Sequence, residues 1–388
     1  MKGLASKLLI VIGILLILAS ILWWAIAVNA MVKLPDDVEV HNHYEGEMTW
    51  YVDTATHQPL PEGEEKTVPL SVNQDIIAEA GEYDSSTGVL EETVNVVAGN
   101  VALPASRCVY VLDRKTMENV GDPRAFAWTA DNQVDRSGSY YPYFPFDTSK
   151  DEKYEVWKSE IGRTLETEFV NEEEKKGMTV YNFKLACENV EVDEVYLASM
   201  GFPTKLTLEE MKPALLAAGV DLDALKALAA RVMAPGDLQV LQQAVKKEIP
   251  VSYLWTMERE LSVEPKTGIV LDVYKNVESL SRKADLSVLA DLTPVLDKYA
   301  DNPQLGPAVK ALSQMQSQAG NAEKVFSLQF ASTQDSIDAA AEEAKKEAGR
   351  INLVKVYIPW ALLIVGALVL IVGLLIGGEP VPEEETEE

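Results

Sequence analysis

LLIVIGILLILASILWWAIAV, residues 8–28, and VYIPWALLIVGALVLIVGLLIGG, residues 356–378, contain no charged side chain, while the sequence between them is dense in Asp and Glu. Each run exceeds the roughly 18 apolar residues that separate a spanning helix from a buried core helix. At about 1.5 Å per residue each reaches roughly 30 Å, one hydrocarbon thickness. Both therefore read as transmembrane helices, one at each end of the chain. The competing reading of the first is a cleaved signal peptide ending at Val28-Asn29-Ala30, but a signal peptide's apolar region is only about 7 to 15 residues long, so a retained anchor is expected.

Lys2 and Lys7 precede the first span with no acid beside them, so the positive-inside rule keeps residues 1–7 in the cytoplasm and places residues 29–355 outside. Trp23 and Trp24, with Tyr357 and Trp360, then form one aromatic belt at the outer interface. Lys345, Lys346, Arg350 and Lys355 oppose this assignment, as does the acidic tail 379–388, but the first helix dominates the rule and acids count little in it. The tail itself reads as a solvated cytoplasmic end.

With 388 residues, 47% of them apolar, the chain has material for a true core. Net charge is −27; with Lys2, Lys7 and the six tail acids set aside, 32 basic and 55 acidic residues remain over 29–355, a net −23. Such a surface repels nucleic acid and anionic headgroups, and leaves cations, basic proteins and uncharged ligands as partners. The two cysteines, Cys108 and Cys187, fall in strand-like runs. Paired outside the cell they would close a loop of roughly 80 residues and contribute about 4 kcal/mol; unpaired, they are two small buried apolar groups. No Asn-x-Ser/Thr sequon occurs, which fits a bacterial source.

Two-residue alternation over 48–52, 67–72, 89–97, 108–112, 164–170 and 178–186 predicts antiparallel strands. Turns at Asp53 to Thr56, Asp113 to Thr116 and Glu264 to Thr267 share one recipe, an acid three residues before a threonine. The last continues into Gly268 and makes a hairpin of 254–263 and 269–274. A helical cluster over 207–247 opens on the capping box Thr207/Glu210 and includes a stop at Gly219 and new starts near Asp221 and after Pro235. Helices over 285–300 and 303–318 follow, then a strand over 324–331, then a helical stalk over 333–355 that runs straight into the second span, 356–378. The expected fold class is α+β: a β-rich, barrel-like antiparallel domain with an inserted helical cluster, flanked by one transmembrane helix at each terminus.

No phosphate-binding loop, nucleophile elbow or paired metal motif is present, so neither an enzyme nor a cofactor is expected. His41, His43, Glu45 and Glu47 share one face of a strand, as a metal site would, but His-x-His alone is weak and a solvated polar face is the expectation, with no metal. The segment 140–146 holds Tyr140, Tyr141, Tyr143, Phe144 and Phe146 between prolines, and reads either as a loop anchored to the core or as the lining of an apolar cavity.

The runs 109–116, 144–147 and 177–183, with the hairpin 258–268, resemble the bacterial porin PorA family, which also carries a span at each end. The arrangement of two terminal spans around a strand-rich domain is similar to the class B scavenger receptors. That likeness implies an apolar tunnel leading lipid toward the bilayer and a helical apex. On this reading the protein binds or transfers an apolar ligand, lipid above all, in the cell envelope. Leu208, Met211, Leu215, Leu225 and Leu228 would gate the distal entrance and the aromatic segment would line the route; alternatively the leucines only hold their cluster together. The rival class is a structural or adhesive surface protein with a solid interior that recognises another protein.

Overall fold

The computed structural model describes residues 2–377 except 54–57, 62, 80, 218 and 319–321. The tail 379–388 and the tip of the turn expected from Asp53 to Thr56 lie outside the described residues.

Both apolar runs are helices long and apolar enough to cross a membrane. The first is α-helical over Lys2–Leu22, widens to a π-helical turn at Trp23–Ala27 and ends in Val28–Met31. The second is the end of a rod of 44 residues, Gln334–Gly377, in which the stalk (Gln334–Asn352) passes through a second π-helical turn (Leu353–Tyr357) into the span. The two pack antiparallel. Ser6 Oγ donates to the carbonyl of Gly373 (2.7 Å), Ser20 Oγ to that of Pro359 (2.8 Å), and Trp23 Nε1 to that of Val354 (3.1 Å), so the two π-turns meet. Glycine makes this approach possible: a Cβ at Gly13 would lie 2.7 Å from the amide nitrogen of Leu370, and one at Gly373 2.8 Å from that of Ile10.

Among the described residues, fourteen strands lie between the helices. In the first half they are β1 (Glu39–Trp50), β2 (Lys66–Ala78), β3 (Thr87–Ala98), β4 (Val101–Ala102), β5 (Ser106–Asp113), β6 (Phe126–Ala127) and β7 (Glu155–Lys158). In the second half they are β8 (Arg163–Glu166), β9 (Glu168–Lys175), β10 (Met178–Glu191), β11 (Lys205–Leu206), β12 (Ile249–Glu264), β13 (Ile269–Ala284) and β14 (Glu323–Ser332). Twelve form one antiparallel sheet in the order β6-β5-β3-β2-β1-β14-β13-β12-β10-β9, with β4 added to β3 and β11 to β12; β7 and β8 pair apart. The α+β class and the strand assignments hold, but the sheet does not close: β6 and β9 remain edges. It curls instead, because one core joins Met48 and Trp50 of β1 to Phe183 of β10 and Trp255 of β12. The strand expected over 164–170 is two: the chain passes from the β7–β8 pair to the large sheet around the buried Thr167, whose Oγ1 accepts the amide of Tyr154 at 2.9 Å.

Of the helical cluster, Lys212–Ala217, Leu222–Val232 and Pro235–Lys246 are α-helical. The capping box forms, with the Thr207 amide 2.7 Å from Glu210 Oε2, but a further turn precedes the helix. Asn302 does not begin a helix at Pro303; its Oδ1 accepts the amides of Gln304 and Leu305, and the helix starts at Gly306. The cluster and the leucines of 286–312 share one core at the far ends of β12 and β13. Each fully buried leucine there contributes roughly 2 kcal/mol.

Candidate functional site

The turn chemistry read from the sequence positions the site. Glu264 Oε2 accepts the amide (2.9 Å) and hydroxyl (2.7 Å) of Thr267, and Gly268 follows at φ +73°. A Cβ on Gly268 would lie 2.0 Å from the Phe144 carbonyl oxygen, and the Phe144 amide donates to the Gly268 carbonyl at 3.0 Å. The aromatic segment is thus laid on the β12–β13 hairpin, and backbone bonds between Tyr140 and the β7 residues Glu155 and Trp157 fix its other end. Phe144 stacks on Phe183, with centroids 5.4 Å apart.

Three cavities adjoin along this segment. The one nearest the spans, about 150 Å³, lies among Leu34, Val40, Tyr143, Phe146 and Glu347. Tyr143, Val40 and Ile269 also wall the middle cavity, about 290 Å³, whose roof is Ser336, Ala339 and Ala340 of the stalk. Tyr44, Gln74, Tyr141, Lys158 and Arg259 separate the middle cavity from a distal one of about 190 Å³. Tyr140, Tyr141, Tyr143, Phe144 and Phe146 therefore all line this series.

The five cluster residues do not. Leu208, Leu215 and Leu225 are buried in the cluster core with Met211 and Leu228 packed on them, and the space beside Leu208, Met211 and Leu215 is about 10 Å³, at the limit for a single water. Leucines at helical spacing interdigitate here, and these line none of the three cavities in series. Of the two readings of Cys108 and Cys187, the structure has the unpaired one: both thiols are free. Cys108 Sγ lies 3.9 Å from Ser159 Oγ, and Cys187 Sγ 4.0 Å from the Trp255 carbonyl. Burial pushes the Cys108 thiol up to about 11, which makes it a weak nucleophile. His41 and His43 face solvent on β1, each bonded to a cross-strand neighbour, Asp75 (2.6 Å) and Asn73 (2.8 Å).

The polar wall between the middle and distal cavities is not among the expectations drawn from the sequence. Lys158 Nζ donates to Glu160 (2.9 Å) and Glu278 (3.2 Å), and Arg259 Nη2 donates to the same Glu278 carboxylate (3.1 Å) while its Nε donates to Asn276 (2.7 Å). Burial alone would push the Glu278 carboxyl up; Lys158 and Arg259 outweigh it and hold the group below the usual carboxylate range. Beside them Glu92, 6% exposed, accepts from Gln74 Nε2 (2.5 Å), from Tyr110 OH (3.1 Å) and from Tyr141 OH. Burial and then the Glu92 charge drive both tyrosine hydroxyls well above their ordinary range, so they remain donors. A signal for these residues did exist. Arg259 lies in phase with Met257 and Leu261, and Glu92 with Leu90 and Val94: charges on the inward face of otherwise apolar alternation.

A family model described as Porin PorA matches residues 5–375. No curated protein matches the chain.

Proposed function

Because the chain belongs to the porin PorA family, a membrane protein with a helical span at each end, we propose that its central domain binds an apolar molecule of lipid class and passes it to or from the bilayer, without bond-making chemistry. The observation that carries this reading is the series of adjoining cavities along residues 140–146, which begins beside the spans and continues under the stalk into the distal half of the sheet. Lipid pockets are concave and mostly apolar; the middle cavity sets Val40, Ile76, Phe144, Leu185, Leu261 and Leu271 against polar groups at Gln74, Lys158, Arg259 and Asp272. The domain lies on the outer side of the membrane in this reading, supported by Lys2 and Lys7 ahead of the first span. A hollow interior speaks against a purely adhesive role. The conductance that the family's name suggests would need several copies, since two helices in glycine contact enclose no channel.

Native mass spectrometry of the full chain, extracted in a gentle detergent, tests the proposal. Co-purifying lipid is expected on the unaltered chain and lost in Ala340→Phe, which fills the middle cavity from the stalk. A chain that carries no lipid, or an Ala340→Phe variant that carries as much, overturns it. Labelling of intact cells with a membrane-impermeant amine reagent tests the orientation: central lysines that react only after lysis would overturn it.

A further inference from the structure

The distal cavity has one charge too many. Three carboxylates, Glu92, Glu160 and Glu278, and two cations, Lys158 and Arg259, line it. The cations are engaged with Glu160 and Glu278. Among the described residues Glu92 has only the neutral donors Gln74, Tyr110 and Tyr141, although it is more than nine-tenths buried. Buried carboxylates are ordinarily paired with a cation. The surrounding wall is aromatic, with Tyr44, Tyr110, Trp128, Tyr141, Trp157 and Trp255 all lining the same space. Ring faces of this kind attract cations, and the chain already uses two of them so: Lys158 Nζ lies 5.3 Å from the Trp255 ring centroid and the Arg136 guanidinium 4.2 Å from that of Tyr110.

Extending the lipid-binding reading, on which this inference rests, we propose that the distal cavity seats the ammonium group of a cationic amphiphile, with Glu92 as counter-ion and the aromatic wall as its cage, and that the apolar body of the ligand extends past Tyr141 into the middle cavity. The acidic surface of the central domain favours approach of the same charge. An anionic headgroup meets both repulsion outside and an unneutralised carboxylate inside.

The test uses the full chain in lipid nanodiscs, with dodecyltrimethylammonium and dodecanol as probes of equal chain length, read by quenching of tryptophan fluorescence and by native mass spectrometry. The cationic probe is expected to bind at least about tenfold more tightly. Glu92→Gln should weaken it by about 30-fold or more and leave dodecanol unchanged. Glu47→Gln, which removes the same charge from the exposed face of β1, should change neither. Trp128→Leu provides a second variant should Glu92→Gln not fold, and it too should weaken only the cationic probe. Equal binding of both probes, or a Glu92→Gln or Trp128→Leu variant that keeps the cationic preference, overturns the inference while leaving lipid binding intact. Failure of both probes to bind the unaltered chain overturns the parent reading as well.

Discussion

Among the described residues, the two largest cores of the central domain are built in opposite ways. In the helical cluster, Leu208, Leu215, Leu222, Leu225 and Leu241 fill the space between short helices. Under the curled sheet, rings and charges alternate and leave cavities of about 190 and 290 Å³. Flexible aliphatic side chains interdigitate to native density; rigid rings held apart by buried ion pairs do not. The proposed ligand binding would use the hollow core, and the solid one packs at the distal ends of the long strands.

The contrast is sharpened most by Lys158→Met, which leaves Glu160 and Glu278 short of a cation. A loss of about 3–5 kcal/mol is expected in denaturation of the detergent-solubilised chain. A loss below about 1 kcal/mol would show that the polar wall contributes little. Leu215→Ala should cost about 3 kcal/mol by opening a void in the solid core, with lipid retention unchanged. If lipid retention falls in step with stability, the two cores are not separate in function. A smaller effect is expected on acidification. Glu278 is held below its unfolded value of about 4.3, so its contribution is fully present above that pH and lost as pH falls through its folded value. Unfolding curves below about pH 4 should show this slope in the native chain and a flatter one in Lys158→Met. Least of all is His41→Ala on the solvated face of β1, about 0.3 kcal/mol. Asp75 and then Glu39 raise the His41 pKa, so this small contribution is present below the ordinary histidine range and fades as pH rises through the folded value. An effect above about 1 kcal/mol would mean that the strand face is more than a solvated surface.

Legibility from sequence followed the range of the physics involved. Spans were legible because hydrocarbon demands an unbroken apolar run, and the hairpin at Glu264–Gly268 because its turn chemistry is local. The strands read over 67–72 and 269–274 stop short where the inward face turns polar, at Gln74 and Asn276, since alternation is read from apolar residues. The aromatic segment was legible as a cluster, but its place along three cavities depends on pairing with a hairpin more than a hundred positions later. Leucines at helical spacing suggest a gate and a plain core equally well, and only packing separates the two. Nor could spacing decide the fate of Cys108 and Cys187, which sit in β5 and β10, far apart in the sheet order.

The stalk and second span form a single rod, clamped near its middle by Lys355 on Asp147 (2.6 Å) and by Arg350 on the carbonyls of Met31 (2.8 Å) and Lys33 (3.1 Å). Such a rod is a lever with these clamps as its fulcrum. A change in bilayer thickness that tilts the lower arm swings the upper one, and Ser336, Ala339 and Ala340 ride on that upper arm above the largest of the three cavities in series. Under the proposed function, the mechanical state of the membrane would then set the headroom over the bound ligand.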